Sequence, residues 1–269
     1  MKDEKELAYR YDLFITPDWR DRFDALVNEK IEMPVEGRIL DVNCGTGAHA
    51  LEMAERMRGK GEVVGVDPKP ERIEIARAKA QVKKIKEVGF ERCTTSALPF
   101  AGDHFDAVIG DASMLPAREI EGLLNEMVRV VQPAARVVLK IVTQGSFDEF
   151  FSVYWEALHE IGIVDEIWEA LEALINERGT ASDAETMAER AGLRDVESFI
   201  SKENFFFKTG DDFINSPMIE DSFLTGWLSI TPETRHQEVR DQIVSIIDRE
   251  RHDAPFDISI KATLIAGYK

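Results

Sequence analysis

The sequence predicts an α/β fold: a seven-stranded, mostly parallel sheet with its last strand antiparallel and helices on both faces. Three features of the 269 residues carry this expectation. From Arg38 onward, short apolar runs alternate with longer segments of helical period, the pattern of successive β-α-β units. The run Ile39-Leu40-Asp41-Val42 leads directly into Asn43-Cys44-Gly45-Thr46-Gly47 and then a helix. The next strand-like run, Val63-Val64-Gly65-Val66, ends on a carboxylate, Asp67.

Apolar spacing predicts strands over 38–42, 63–67, 90–94, 107–110, 136–142, 196–207 and 256–266, and helices over 46–57, 70–88, 117–131 and 183–191. The last of these helices has a start signal in Ser182-Asp183 with Glu185 and a stop at Gly192. A long segment joins the final two strands, so the last is expected to run antiparallel. One domain is expected over 1–269, with an N-terminal helical cap over 1–35 and a ligand-binding core over 38–142. The cap carries Tyr9, Tyr11, Phe14 and Trp19, and either packs on the sheet edge or closes as a flap over the ligand.

Two stretches exceed what the sheet needs. Residues 146–178 read as a helical hairpin with one apolar face: Phe147, Phe150, Phe151, Tyr154, Trp155 and Leu158, then Val164, Ile167, Trp168, Leu171, Leu174 and Ile175. Residues 211–252 carry Phe213, Phe223 and Trp227 and a long helix after Pro232, with Val239, Ile243, Ile246 and Ile247 inward. Each aromatic residue taken singly reads as helix packing. Together they suggest a lid beyond the carboxyl ends of the strands, suited to an apolar or aromatic small molecule.

Composition narrows the ligand. A net charge of −18 opposes phosphate backbones and anionic lipid, so nucleic acid is not expected as a partner. The run Lys83-Lys84-Ile85-Lys86 reads as a solvated helix end. No apolar run is long enough for a signal sequence or a membrane span, and two cysteines fit a reducing compartment, so a cytoplasmic protein is expected. The five histidines lack paired ligand spacing, so no metal is expected. The exposed face of a helical insertion is a candidate homodimer contact.

The nine residues from Ile39 to Gly47 are where the chemistry concentrates. Glycines let the chain turn tightly and let a ligand lie on the backbone, while a helix N-terminus offers free N–H groups to an anion. Asp67, twenty residues after Gly47, is placed to accept hydrogen bonds from both hydroxyls of a ribose. Asp41 is a charge at the end of a buried strand, costly unless paired. It either receives an ammonium group or holds the glycine loop.

ILDVNCGTG resembles the first motif of class I S-adenosylmethionine-dependent methyltransferases, and VVGVDPKPERIEIARAKA is similar to their second. ALPFAGDHFDAVIGDAS and LLNEMVRVVQPAARVVLKI resemble later signatures of the broad small-molecule, ubiquinone-biosynthesis-like branch. The match covers roughly residues 38 to 142. The resemblance implies a Rossmann-like fold, S-adenosyl-L-methionine as methyl donor with S-adenosyl-L-homocysteine as product, and a small-molecule acceptor. It implies that Asp41, Gly45, Thr46 and Gly47 line the methionine end, that Asp67 holds the ribose, that Pro68 borders the adenine and that Asp111 contacts the methionine amine.

Two positions depart from the pattern. Asn43 stands where the family has its first glycine, although Asn tolerates a left-handed backbone. Thr94 stands where an Asp often meets the adenine amine, so that contact is weakened or moved to Thr95 or Ser96; Thr94 and Thr95 are kept among the expected cofactor-binding residues.

Methyl transfer from a sulfonium is an in-line displacement whose leaving group needs no acid, so alignment is the main requirement. No catalytic residue is assigned. His49, His104, Tyr11 and Asp111 are the nearest base candidates; His49 reads as solvent-facing or packing, His104 as an exposed turn and Cys44 as a buried, unreactive thiol. An NAD-dependent oxidoreductase is the first rival, because Gly45-Thr46-Gly47-Ala48-His49-Ala50 fits G-x-G-x-x-A. Asp41 argues against it, since a dinucleotide-binding strand normally stays apolar there. A non-catalytic cofactor-binding relative is the second rival, supported by Asn43 and Thr94.

Overall fold

The computed structural model describes residues 2–250 and 254–269. Contacts divide the chain into two units, the first formed by Met1–Val142, Thr180–Ser201 and Ala262–Lys269, the second by Thr143–Gly179 and Lys202–Lys261.

Seven strands, β1 (Gly37–Val42), β2 (Gly61–Asp67), β3 (Val88–Arg92), β4 (Phe105–Asp111), β5 (Val131–Val142), β6 (Arg194–Phe207) and β7 (Phe256–Tyr268), form one sheet in the order β3-β2-β1-β4-β5-β7-β6. Strands β1 to β5 pair in parallel, and β7 runs antiparallel to β5, as expected from the long connection before it. Most strand boundaries lie close to the predicted ones, but β3 is set two residues earlier and β5 starts at Val131, ahead of the predicted 136.

Alternate residues of the inner strands supply two cores. Leu40, Val42, Val64, Val66 and Val108 pack against α5 (Ala117–Val130) and α8 (Ala181–Arg190). Ile39, Val63, Ala107 and Ile109 pack against α2 (Asp21–Lys30), α3 (Ala48–Met57) and α4 (Pro70–Lys83) on the other face. Both faces are thus covered, which is why these strands read as nearly continuous apolar runs.

α3 begins at Ala48, two residues after the predicted start, and two further helix ends differ from expectation. α4 stops at Lys83, not at 88: Lys84 turns left-handed (φ 59°) and the Ile85 N–H returns to the Ala80 carbonyl at 3.1 Å. The partly buried Ile85 packs on the core, so the apolar residue read as helix continuation closes the helix. α8 starts earlier than Ser182-Asp183. Thr180 is its cap, in a reciprocal box in which the Asp183 N–H donates to Thr180 Oγ1 and the Thr180 N–H donates to Asp183. Its predicted stop at Gly192 stands, with φ 104°.

The N-terminal residues form α1 (Glu4–Arg10), a π-helical stretch at Tyr11–Arg20 around Pro17, and α2. π-helical backbone often marks functional positions. Tyr11 and Trp19 are buried, whereas Tyr9 and Phe14 are about half exposed, so the aromatic cluster of this arm splits into two roles.

The second unit contains α6 (Asp148–Glu160), α7 (Trp168–Ile175), α9 (Gly210–Ile214), α10 (Leu224–Leu228) and α11 (His236–Glu250). Residues 251 and 252 of the predicted insertion lie outside the described residues. The first half of the predicted hairpin face is buried, Trp155 excepted, but the second half is mixed: Val164 and Leu171 are buried, Ile167 and Leu174 half-buried, and Trp168 and Ile175 exposed. The buried rings pack on one another. Phe150 stacks on Trp227 with centroids 3.9 Å apart, Phe147 meets Phe223 at 5.1 Å, and Tyr154 Oη donates to the Trp227 carbonyl at 2.7 Å. Each aromatic residue in this group fills the unit's own core, the packing role that single residues suggested. No helix among the described residues is long and apolar enough to cross a membrane.

Candidate cofactor site

Parallel pairing brings the carboxyl ends of the strands to one edge of the sheet. Asp67 ends β2, Asp41 lies one residue from the end of β1, and Asp111 ends β4 opposite Lys140 of β5. All four residues are at most 5% exposed. The glycine loop runs along this edge. Asn43 takes the left-handed backbone (φ 57°), and its side-chain amide donates to the Asp111 carbonyl at 2.8 Å, so the departure from glycine is accommodated and tied to β4. Gly45 and Gly47 also have positive φ, 58° and 79°. A Cβ on Gly47 would stand 2.7 Å from Phe90 and 2.9 Å from Ala76, which is why the helix can enter here only from glycine.

Asp67 holds the loop. Its Oδ2 accepts the Gly45 N–H at 3.0 Å and its Oδ1 accepts the Lys69 N–H at 2.9 Å, which leaves each oxygen with capacity to accept a second hydrogen bond. Asp41 therefore does not hold the glycine loop. Among the described residues neither of its oxygens has a hydrogen-bond partner, although it is fully buried. Burial pushes its carboxyl up to about 7, against the opposing pull of Lys140 and Arg20.

Pro68 is exposed, with its carbonyl accepting from Arg92 at 3.3 Å. Thr94 is exposed and Thr95 half-buried, just past the Cys93 N–H that donates to the Asp67 carbonyl at 3.3 Å; the end of β3 is thus fastened beside Asp67. Thr46 is buried, and its hydroxyl donates to Asp12 of the arm at 2.5 Å. Asp111 Oδ1 accepts both the Ser113 N–H (2.9 Å) and its hydroxyl (2.6 Å), while Oδ2 lacks a hydrogen-bond partner among the described residues.

The base candidates separate cleanly. His104 lies beside Arg38, at the opposite end of the strands, and β4 puts about 20 Å between it and Asp111. It belongs to a structural cluster with Phe100 and Phe105, not to an exposed turn. His49 is buried, not solvent-facing, with Nδ1 3.3 Å from Lys140 Nζ and 3.5 Å from Asp24; burial pushes it down to about 3, so it is neutral. Burial also drives the Cys44 thiol well above its ordinary value, which removes it as a nucleophile.

Three residues of this edge went unpredicted: Arg20, Lys140 and Asp24. Arg20 of the arm donates from Nη1 to Tyr11 Oη (2.7 Å) and to the Asn43 carbonyl (2.8 Å). Lys140, fully buried, is bonded to Asp24 of α2. The signal for Lys140 was available: like Asp41, it is a charge inside an apolar strand run. Arg20 follows a tryptophan in an irregular segment and carried no comparable signal. A cavity of about 620 Å³ opens between the arm, α3 and α4, lined in part by Tyr9, Asp12, Ile75 and Lys79. None of the ten residues expected to hold the cofactor lines it; Tyr11 and Arg20 lie against the loop at Gly45.

The sheet order, the glycine loop at the carboxyl edge and the acid ending β2 define a Rossmann-like domain built to hold an adenosine-bearing cofactor. A family model described as methyltransferase domain matches residues 35–192. The chain is 37% identical over 161 residues to a demethylmenaquinone methyltransferase of Thermus thermophilus, covering 56% of this chain and 70% of that one. It is 31% identical over 156 residues to a ubiquinone/menaquinone biosynthesis C-methyltransferase of Geotalea daltonii, covering 55% and 65%. The YcgJ protein of Bacillus subtilis shares the fold, with a TM-score of 0.60 at 22% identity over 93% of this chain and 98% of that one. The chain belongs to the methyltransferase domain family. It is an S-adenosylmethionine-dependent methyltransferase, and the oxidoreductase reading is set aside.

Proposed function

We propose that the chain transfers the methyl group of S-adenosylmethionine to a small hydroxylated aromatic acceptor of the quinol type. The cofactor site is the carboxyl edge of the sheet: Asp41 for the α-ammonium, Asn43, Gly45, Thr46, Gly47 and Asp111 around the methionine, Asp67 on the ribose, and Pro68, Thr94 and Thr95 beside the adenine. One observation carries the placement. Asp41 is fully buried with two unpartnered oxygens, an arrangement that is costly in the free protein and that a cationic ligand relieves. The bound cofactor supplies an electrophilic methyl on sulfur, and the protein's part is to fix its two ends and keep water out. The acceptor class is supported by the quinone-pathway names of the Thermus and Geotalea relatives and by the net charge of −18, which disfavours nucleic acid. The test is incubation with S-adenosylmethionine and a demethylated hydroquinone, read by mass spectrometry. A methylated quinol is expected; turnover confined to amines would overturn the acceptor class.

A further inference from the structure

Helix α4 is apolar on two faces. Ile73, Ala76 and Ala80 are buried against the sheet, as a covering helix requires. Ile75, Ala78 and Val82 repeat the same spacing two residues further on, about 200° around the helix, where a surface helix normally carries polar side chains. All three wall the cavity of about 620 Å³, and Val82 is 81% exposed. Ala48 and Leu51 of α3 and Tyr9 of α1 complete its apolar lining.

Two ion pairs fix how the arm lies along this trough. Glu4 pairs with Lys69 at 2.8 Å and Asp12 pairs with Lys79, so the arm runs parallel to α4, with Lys5 near the start of α4 and Asp12 near its last turns. The two ends differ in charge. At the Asp12 end the charges are matched, Lys79 by Asp12 and Lys83 by Glu55 at 3.1 Å. At the Lys5 end one lysine stands with two carboxylates, Glu71 and Glu74, and none of the three makes a hydrogen bond or ion pair among the described residues. The lining of an apolar trough thus ends in one uncompensated negative charge.

We propose that this trough binds an amphipathic amine, an apolar chain with a single cationic head, the head at Glu71 and Glu74 and the chain along Ile75, Ala78 and Val82. The volume falls in the range of small-molecule sites, roughly 300 to 1,000 Å³. An anionic head would be repelled by the surplus carboxylate and by the net charge of −18, and a neutral one would leave that carboxylate unpaired. The ring of Tyr9 in the wall favours a cation further. None of the residues that form this site belongs to the cofactor site, so the assignment stands independently of it.

The test uses one chain with three heads, octylamine, octanol and octanoate, titrated into the whole protein and followed by ligand-observed NMR. Octylamine is expected to bind about 3- to 10-fold more tightly than octanol, and octanoate more weakly than either. Replacing both Glu71→Gln and Glu74→Gln should bring octylamine down to the level of octanol. Ala78→Trp fills the trough from an exposed helix position, leaves the core untouched, and should weaken octylamine about tenfold or more. Saturating S-adenosylhomocysteine should not displace the amine. Octanoate binding as tightly as octylamine would overturn the ligand class. Absence of octylamine binding, undiminished binding in Ala78→Trp, or displacement by S-adenosylhomocysteine would each overturn the site, the last by placing the amine at the buried acids of the sheet edge.

Discussion

Asp41→Asn is expected to raise the stability of the protein at pH 8 and to impair its hold on the cofactor. The carboxyl is pushed up to about 7 by burial, so the folded protein keeps this proton between about pH 4 and 7 while the unfolded chain releases it. Stability from this group is therefore fully present below about pH 4 and lost as pH rises to 7. A shift of that size corresponds to a ceiling of about 4 kcal/mol, and the amide avoids most of it, so a gain of roughly 2 to 4 kcal/mol is expected at pH 8. Affinity for S-adenosylhomocysteine should fall about 10- to 100-fold, because the amide offers the ammonium no charge. His49 has the opposite sign: held neutral with its value pushed down to about 3, it costs stability as pH falls from about 6.5. The two slopes nearly cancel in the native protein. Thermal melts of the variant should uncover the His49 slope, with stability rising from pH 4 to 6.5; a variant less stable than the parent at pH 8 would show that Lys140 and Arg20 already neutralise Asp41.

Lys140→Met is expected to cost about 3 to 5 kcal/mol of stability, the loss typical of breaking a buried ion pair from one side. Against the burial that would raise it, Lys140 and Arg20 hold the Asp24 carboxyl below its ordinary value, and the methionine would strand that charge in the core between α2 and α3. Adding Asp24→Leu removes the stranded charge, so the double variant should recover most of the loss. Urea unfolding of the two single variants and the double measures the coupling directly. Losses that simply add would show that the pair does not act as a unit.

Local signals carried the sheet and the loop. Strand runs buried on both faces are apolar throughout, the glycines at 45 and 47 are required by positive φ, and Asp67 ends a strand whose pairing places it at the loop. What the sequence did not disclose depends on long-range contact. Arg20 meets Asn43 and Asp111 only because the arm folds back across the strand ends, and no local periodicity encodes that. Thr180 caps α8 because its hydroxyl, not that of Ser182, stands three residues before an Asp whose carboxylate can reach back. The aromatic stripes were legible as buried faces, but a periodic pattern does not say whether a face meets protein or ligand; Phe150 meets both Phe213 and Trp227. His49 in a first helical turn read as either solvent-facing or packing, and its contacts with Lys140 and Asp24 make it the second.

Titration of S-adenosylhomocysteine and NAD into the unmodified protein and into Asp67→Ala tests the central claim most directly. S-adenosylhomocysteine is expected to bind, NAD is not, and Asp67→Ala is expected to lose roughly 2 to 5 kcal/mol of the binding free energy as two charge-assisted hydrogen bonds to the ribose disappear. Unchanged affinity in Asp67→Ala, or heat from NAD alone, would contradict it.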